Sequence, residues 1–264
     1  MASLDDRFIQ GMDQALTGMS DPVAQLRRAL ANDEIALYCQ PIRALIGAPG
    51  FPMAEVLVRM RQEETALLPP GDFLPVFEHY RMMPALDRWV LHKVAQRLSR
   101  ASKVPRLSIN VSGQTFDDAG FAGFFVEQMQ TPGLAPGAIL FEIDEADVLA
   151  RPQDAARFAA ALRAAGAGIM VDGFGHRAAS FEPLKALRVD FIKVDGAITR
   201  RILTNEAAAA KLKAIVRVAQ VIGAGVIAEF VEDQNVLLRL KALDVGFAQG
   251  FGVYQPHPID AVLG

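Results

Sequence analysis

Glu55, Asn110, Glu142 and Asp172 offer three carboxylates and one amide oxygen, a hard ligand set that suits Mg2+ or Mn2+ better than zinc. Lys193 and Glu229 add a cation and a further acid or base. All but Glu55 close a short apolar run: Leu107-Ser108-Ile109-Asn110, Ile139-Leu140-Phe141-Glu142, Ile169-Met170-Val171-Asp172, Asp190-Phe191-Ile192-Lys193 and Val226-Ile227-Ala228-Glu229. Gly246-Phe247-Ala248-Gln249 ends the same way. One polar residue at the end of a strand needs no chemistry, because strands meet water there; six in one chain argue for a shared site. A lysine at such a place also suggests a Schiff-base nucleophile, which needs a depressed pKa in an apolar pocket. Lys193 among Glu55, Glu142, Asp172 and Glu229 should instead stay protonated, since neighbouring anions favour the charged form.

These side chains meet only if the runs are strands with their ends on one ring. The runs are too short for buried helices, and most are separated by stretches of helical periodicity, as in a parallel α/β barrel. The chain's 264 residues suit one (β/α)8 barrel, whose strands present their C-terminal ends to a common cavity. A first strand is expected from Glu34 to Ile42 with Gln40-Pro41, and a second from Met53 to Met60 after a Gly/Pro-rich turn. Alternation on the second puts Glu55, Leu57 and Arg59 on one face, with Val56 and Val58 on the other. Pro69-Pro70-Gly71-Asp72 is expected to cap a helix through Glu78, and further helices are expected from Ala85 to Leu98, Gln114 to Gln130, Asp154 to Ala165, Phe181 to Leu187, Glu206 to Ile222 and Asp233 to Leu243. The start reads as amphipathic helix from Leu4 to about Leu30, restarted at Asp21-Pro22. Residues 1–23 are expected to be a helical lead-in and 24–264 the barrel domain.

Composition narrows the partners. Twenty-seven basic against 30 acidic residues give a net charge of −3, no footprint for long nucleic acid. No apolar stretch reaches the ~20 residues that span a bilayer, and Met1-Ala2-Ser3-Leu4 opens no secretory leader, so the cytoplasm is the default location. Cys39 is the only cysteine, which excludes an internal disulfide framework and a cysteine zinc cluster; its strand position predicts a buried, inert thiol.

An ordered series of motifs carries a resemblance: Gln40-Pro41, Glu55-Val56-Leu57-Val58-Arg59, Phe73-Leu74-Pro75, Leu86-Asp87-Arg88-Trp89-Val90-Leu91 and Asn110-Val111-Ser112. It continues with Glu142-Ile143-Asp144-Glu145, Asp172-Gly173-Phe174-Gly175, Ile192-Lys193-Val194-Asp195, Ala228-Glu229-Phe230-Val231-Glu232 and Gln249-Gly250-Phe251. From about residue 24 to 260 the chain resembles the EAL domain family, cyclic di-GMP phosphodiesterases and their inactive receptor relatives in bacterial second-messenger signalling. The resemblance implies a TIM-like barrel of the EAL type with an antiparallel first strand, and a ligand with two guanines and two phosphodiesters. In active members two divalent ions activate a water that opens one phosphodiester, giving the linear dinucleotide.

Carried over by position, Glu55, Asn110, Glu142 and Asp172 would hold the first Mg2+ or Mn2+. Lys193 would steady the water, Glu229 would bind metal or take the proton, and Gln249 would support the site. Arg59 and the backbone near Leu57 would hold phosphate, and Gln40 and Asp87 would face a guanine. Pro256 is placed with the ligand-binding positions. Three departures stand out. Active members carry a second aspartate where this chain has Gly173, so a second metal site loses its own carboxylate. The following loop reads Gly175-His176-Arg177-Ala178-Ala179-Ser180, although its anchor, Glu145, is retained; His176 is read as an exposed loop residue rather than a replacement ligand. Phe230 stands in a glycine position, where it could stack on a base or pack into a neighbouring loop. Binding is therefore expected to outlast catalysis, giving a cyclic di-GMP receptor with weak or no hydrolysis. The alternatives are a slow phosphodiesterase and a nucleotide-independent protein interaction module. A downstream protein partner follows by analogy with the family, and a homodimer is compatible with it.

Overall fold

Side chains two apart on a strand share a face, and this period of two builds the molecule. The computed structural model describes residues 21–61, 67–100, 102–176 and 181–264. Eight strands close into a barrel: β1 (Ile35–Ala44), β2 (Met53–Arg61), β4 (Leu107–Asn110), β5 (Ile139–Asp144), β6 (Gly168–Phe174), β7 (Phe191–Val194), β8 (Gly225–Ala228) and β9 (Phe247–Ala248). Two-residue strands β3 (Leu67–Leu68) and β10 (His257–Pro258) hang on β2 and β1. β1 runs antiparallel to both of its barrel neighbours, β2 and β9, while the strands from β2 round to β9 are parallel.

Helices cover the outside: α1 (Pro22–Ala31), α2 (Pro70–His79), α3 (Met83–Leu98), α4 (Phe121–Met129), α5 (Glu145–Ala150), α6 (Pro152–Ala164), α7 (Glu182–Leu187), α8 (Gly196–Thr199), α9 (Glu206–Ile222), α10 (Gln234–Ala242) and α11 (Ile259–Leu263). Local chemistry sets their ends. Asp21 Oδ1 accepts from Ala24 N at 3.0 Å and starts α1; Asn205 Oδ1 does the same for Ala208 N before the alanine-rich α9, which stops at Gly223 (φ +77°). Leu26 and Ala29 of α1 lie in the main core. The lead-in expected before residue 21 lies outside the described residues. The helix expected from Gln114 to Gln130 is broken. A 3-10 turn (Gly113–Asp117) gives way before α4, because Asp118 turns its carboxylate to Arg88 Nε (2.7 Å) and Gly120 N (3.0 Å).

Two apolar cores result. The larger lies between the strands and the helices, and buries Cys39 completely, which pushes its thiol up to about 12. The smaller plugs the barrel: Ile42, Met53, Leu140, Met170, Phe191 and Ile227, with Phe247 packed on it. No helix among the described residues is long and apolar enough to cross a membrane.

Candidate functional site

Each parallel strand that adds a residue to the barrel plug adds a polar one two positions later. Met53 leads to Glu55, Leu140 to Glu142, Met170 to Asp172, Phe191 to Lys193, Ile227 to Glu229 and Phe247 to Gln249. On the reversed β1 the order inverts, so that Gln40 precedes Ile42; Gln40 is paired with Glu55 and Ile42 with Met53. Ser108 and Asn110 complete the set on β4. An apolar floor therefore carries a polar layer at the barrel mouth.

Lys193 is the centre of that layer and is fully buried. Its Nζ lies 2.6 Å from Glu142 Oε2, 3.0 Å from Glu55 Oε2, 3.2 Å from Glu229 Oε1 and 3.4 Å from Asp172 Oδ1. Burial alone would pull the lysine's pKa down, but Asp172, Glu142, Glu229 and Glu55 together hold it well above its usual value. The lysine is thus a fixed cation, and the Schiff-base reading has no support. Burial raises Glu142 to about 8, helped by Glu55, and raises Glu229 to about 8 against the pull of Lys193. Glu55 is gripped from both sides: Asn110 Nδ2 donates to Oε1 (3.0 Å), and Gln249 Nε2 donates to Oε2 (2.5 Å). Gln249 Nε2 also donates to Gln40 Oε1 (3.0 Å), and Gln40 Nε2 donates to the Tyr254 carbonyl (2.9 Å).

Two carboxylate oxygens in this layer, Glu142 Oε1 and Asp172 Oδ1, are shut off from water and accept no hydrogen bond, Asp172 Oδ1 having the Lys193 ammonium 3.4 Å away; Ser108 Oγ and Gln249 Oε1 are buried without a partner as well. Buried carboxylate oxygens without donors are what a divalent cation satisfies, so the donor set fits one. Among the described residues no three acidic, histidine or cysteine side chains already stand grouped to hold an ion, since the Lys193 ammonium holds the centre on which the carboxylates converge.

Beside this layer opens a cleft of about 400 Å³, lined by Gln40, Glu55, Leu57, Glu229, Phe230 and Gln249 together with Arg200, Glu232, Gly250 and Phe251. Phe230 is half exposed and left-handed (φ +53°). Its ring lies so close over Gly196 that a Cβ there would sit 2.1 Å away, and the Arg200 guanidinium stands 4.5 Å from the ring centre. The ring packs on Gly196 of α8, as one of the two expectations had it, and the residue also lines the cleft. Arg59 lies over the Tyr38 ring at 5.7 Å, its Nη1 donating to the Val58 carbonyl (2.8 Å). Asp87 is buried away from the cleft, its Oδ2 accepting from Ser112 N (3.0 Å) and Thr115 Oγ1 (2.5 Å); burial raises it to about 7. Pro256 is half-buried beyond Tyr254 and does not line the cleft. Sequence reasoning missed Arg200, whose position depends on the turn at Phe230.

Gly173 sits where β6 slips its register against β7, in the left-handed region (φ +65°). Among the described residues a Cβ there would meet only Asp144 Oδ2, at 3.8 Å. Glu145 Oε1 accepts from Gly175 N (3.0 Å), anchoring the start of the altered loop; residues 177–180 lie outside the described residues. His176 is exposed, with Nδ1 3.3 Å from Asp195 Oδ2, and lines a different depression.

A closed eight-stranded mixed barrel with a buried lysine–carboxylate layer at its mouth defines a TIM-like (β/α) barrel whose polar site lies at the C-terminal ends of its parallel strands. The chain matches the EAL domain family over residues 23–256 and belongs to it. It is 30% identical over 238 residues to cyclic di-GMP phosphodiesterase PdeB of Shewanella oneidensis, covering 89% of this chain and 28% of PdeB. It is 29% identical over 240 residues to cyclic di-GMP phosphodiesterase RocR of Pseudomonas aeruginosa, covering 89% of this chain and 61% of RocR. The chain thus spans less than two thirds of these curated relatives. Among solved structures it resembles the FimX EAL domain of Pseudomonas aeruginosa bound to cyclic di-GMP, with a TM-score of 0.82, 26% identity, and coverage of 90% of this chain and 96% of that one. A cyclic di-GMP complex of the phosphodiesterase PaMucR has a TM-score of 0.81 and 26% identity, with coverage of 91% and 99%.

Proposed function

We propose that this chain binds cyclic di-GMP in the cleft beside the Lys193 layer and hydrolyses it weakly or not at all. The observation that carries the reading is Gly173: a position next to Asp172 where a Cβ meets no close neighbour among the described residues, yet with no ligand to offer, beside a polar layer that keeps its carboxylates and Lys193. When ionised, four carboxylates against one ammonium give that layer a net of −3. One Mg2+ or Mn2+ held by Glu55, Asn110, Glu142 and Asp172 would bring it to −1, still repulsive to a phosphodiester. A second ion would supply the positive charge and the activated water of two-metal hydrolysis. Without a carboxylate at 173, the second ion has no ligand of its own.

The binding groups do not depend on that ion. Arg200 lines the cleft and offers a guanidinium to a phosphate, and Phe230 and Phe251 offer ring faces to the bases; Arg59, two positions beyond Leu57 on β2, does not line the cleft and would reach a phosphate only by leaving the Tyr38 ring and the Val58 carbonyl. Gln40 and Leu57 line the same cleft. Asp87 contributes by holding the loop after β4. Lys193 and Glu229 keep the positions that would steady a water and take its proton, which favours a slow phosphodiesterase as the second reading. The receptor reading carries with it a cytoplasmic location and a downstream protein partner.

Titration with cyclic di-GMP tests the binding half. Saturable binding, weakened in Arg59→Ala, is expected; absence of saturable binding would end both nucleotide readings and leave the protein interaction module.

A further inference from the structure

On the outer side of β1, α3 and the C-terminal segment wall a second cavity of about 720 Å³. Among the described residues it shares no lining residue with the cleft beside the Lys193 layer. Four basic side chains, Arg61, Lys93, Arg97 and Arg100, face two acidic ones, Asp33 and Asp260. Lys93 and Asp33 neutralise each other, with Nζ 2.7 Å from Oδ1. Arg97 is largely buried and pairs with Asp260 through Nε, but its Nη1 is shut off from water with no acceptor. Among the described residues Arg61 and Arg100 make no ion pair or side-chain hydrogen bond. The remaining wall is largely apolar, with Leu37, Leu67 and Ile259.

A guanidinium nitrogen without water or an acceptor is unfavourable, and an anionic oxygen is the partner that relieves it best. Apolar walls beside three incompletely matched arginines suit a molecule with a charged head and an apolar body. We propose that this cavity binds a small organic anion, its phosphate or carboxylate among Arg61, Arg97 and Arg100 and its body against Leu37 and Leu67.

Trp89 is the chain's only tryptophan and lines this cavity, so its fluorescence reports occupancy directly. The probes are phenyl phosphate, benzoate and, as a neutral control, benzyl alcohol. At least one anion should give a saturable change that salt weakens, and benzyl alcohol should give none. Comparison of the two anions identifies the preferred head group. The double variant Arg61→Gln/Arg100→Gln removes two exposed charges and should bind about tenfold more weakly or worse. Leu67→Glu, which brings a carboxylate to the wall, should weaken binding as well. Saturating cyclic di-GMP should leave the titration unchanged, so the result is independent of the nucleotide reading. No saturable change with either anion, an equal response to benzyl alcohol, or unchanged affinity in both variants would overturn the proposal.

Discussion

Replacing Gly173 by aspartate restores the carboxylate that the family's active members carry, and the backbone sets what that costs. At φ +65° a side chain is disfavoured by about 1–2 kcal/mol, with aspartate near the lower end because it visits this region more readily than most residues. Among the described residues the new Cβ finds no clash, since its nearest neighbour there is Asp144 Oδ2 at 3.8 Å. That neighbour is itself a carboxylate, occupied in capping α5 through Ala146 N (2.6 Å), and adds some repulsion. A loss of about 1 kcal/mol lowers the melting temperature of a chain this size by roughly 2–4 °C. Mg2+ or Mn2+ should return that loss if the new carboxylate binds an ion, because a ligand of the native state stabilises it. One well-placed charge-stabilising group is commonly worth roughly 10²- to 10³-fold in rate, so hydrolysis should rise at least about tenfold. Thermal melts with and without metal, and anion-exchange chromatography of the nucleotide, read the two effects. A variant that folds, gains metal stabilisation and still hydrolyses at the parent rate would refute the reasoning and make the altered loop after Gly175 the limiting part.

Lys193→Met should destabilise the fold by about 3–5 kcal/mol in urea melts without metal at about pH 9, above the values of about 8 for Glu142 and Glu229, because it leaves buried carboxylates facing one another; unchanged stability there would mean that they protonate at little cost. Phe230→Gly should relieve the left-handed strain at φ +53° yet lose a stacking face worth about 1–3 kcal/mol, so cyclic di-GMP should bind roughly fivefold to a hundredfold more weakly; unchanged affinity would assign the ring to packing on Gly196 alone. Asp87 gives a pH signature. Its folded pKa of about 7 lies above the unfolded value near 3.9, so the native state binds the extra proton and stability falls as pH rises between the two. The full effect is on the order of 4 kcal/mol above pH 7. Asp87→Asn should therefore gain on the parent as pH rises from 4 to 7 and hold that gain above; parallel stability curves would contradict the burial argument.

Much of the fold is legible in the chain because the barrel writes itself as pairs two residues apart, Leu140 with Glu142 or Phe191 with Lys193. The reversal of β1 was legible only through resemblance, yet the short connection over residues 45–52 carries the signal: it links adjacent strands and is too brief for a parallel crossover. The break before α4 was not legible, because it depends on Asp118 reaching Arg88, thirty positions away. Short α5 was missed for a similar reason: Asp144 both ends a strand and caps the helix that follows. At the site, residue types announced the carboxylates and Lys193, whereas the burial of Asp87 and the approach of Arg200 to Phe230 depend on tertiary packing that spacing does not encode.

The central claim is that binding has outlasted catalysis. It is tested most directly by incubating cyclic di-GMP overnight with a stoichiometric amount of protein, in Mg2+ and then in Mn2+, and separating the nucleotide by anion exchange. Intact cyclic di-GMP that co-elutes with the protein is the predicted result. Linear dinucleotide, formed by the parent and absent with Glu55→Ala, would contradict the claim and make this an enzyme working with an incomplete metal site.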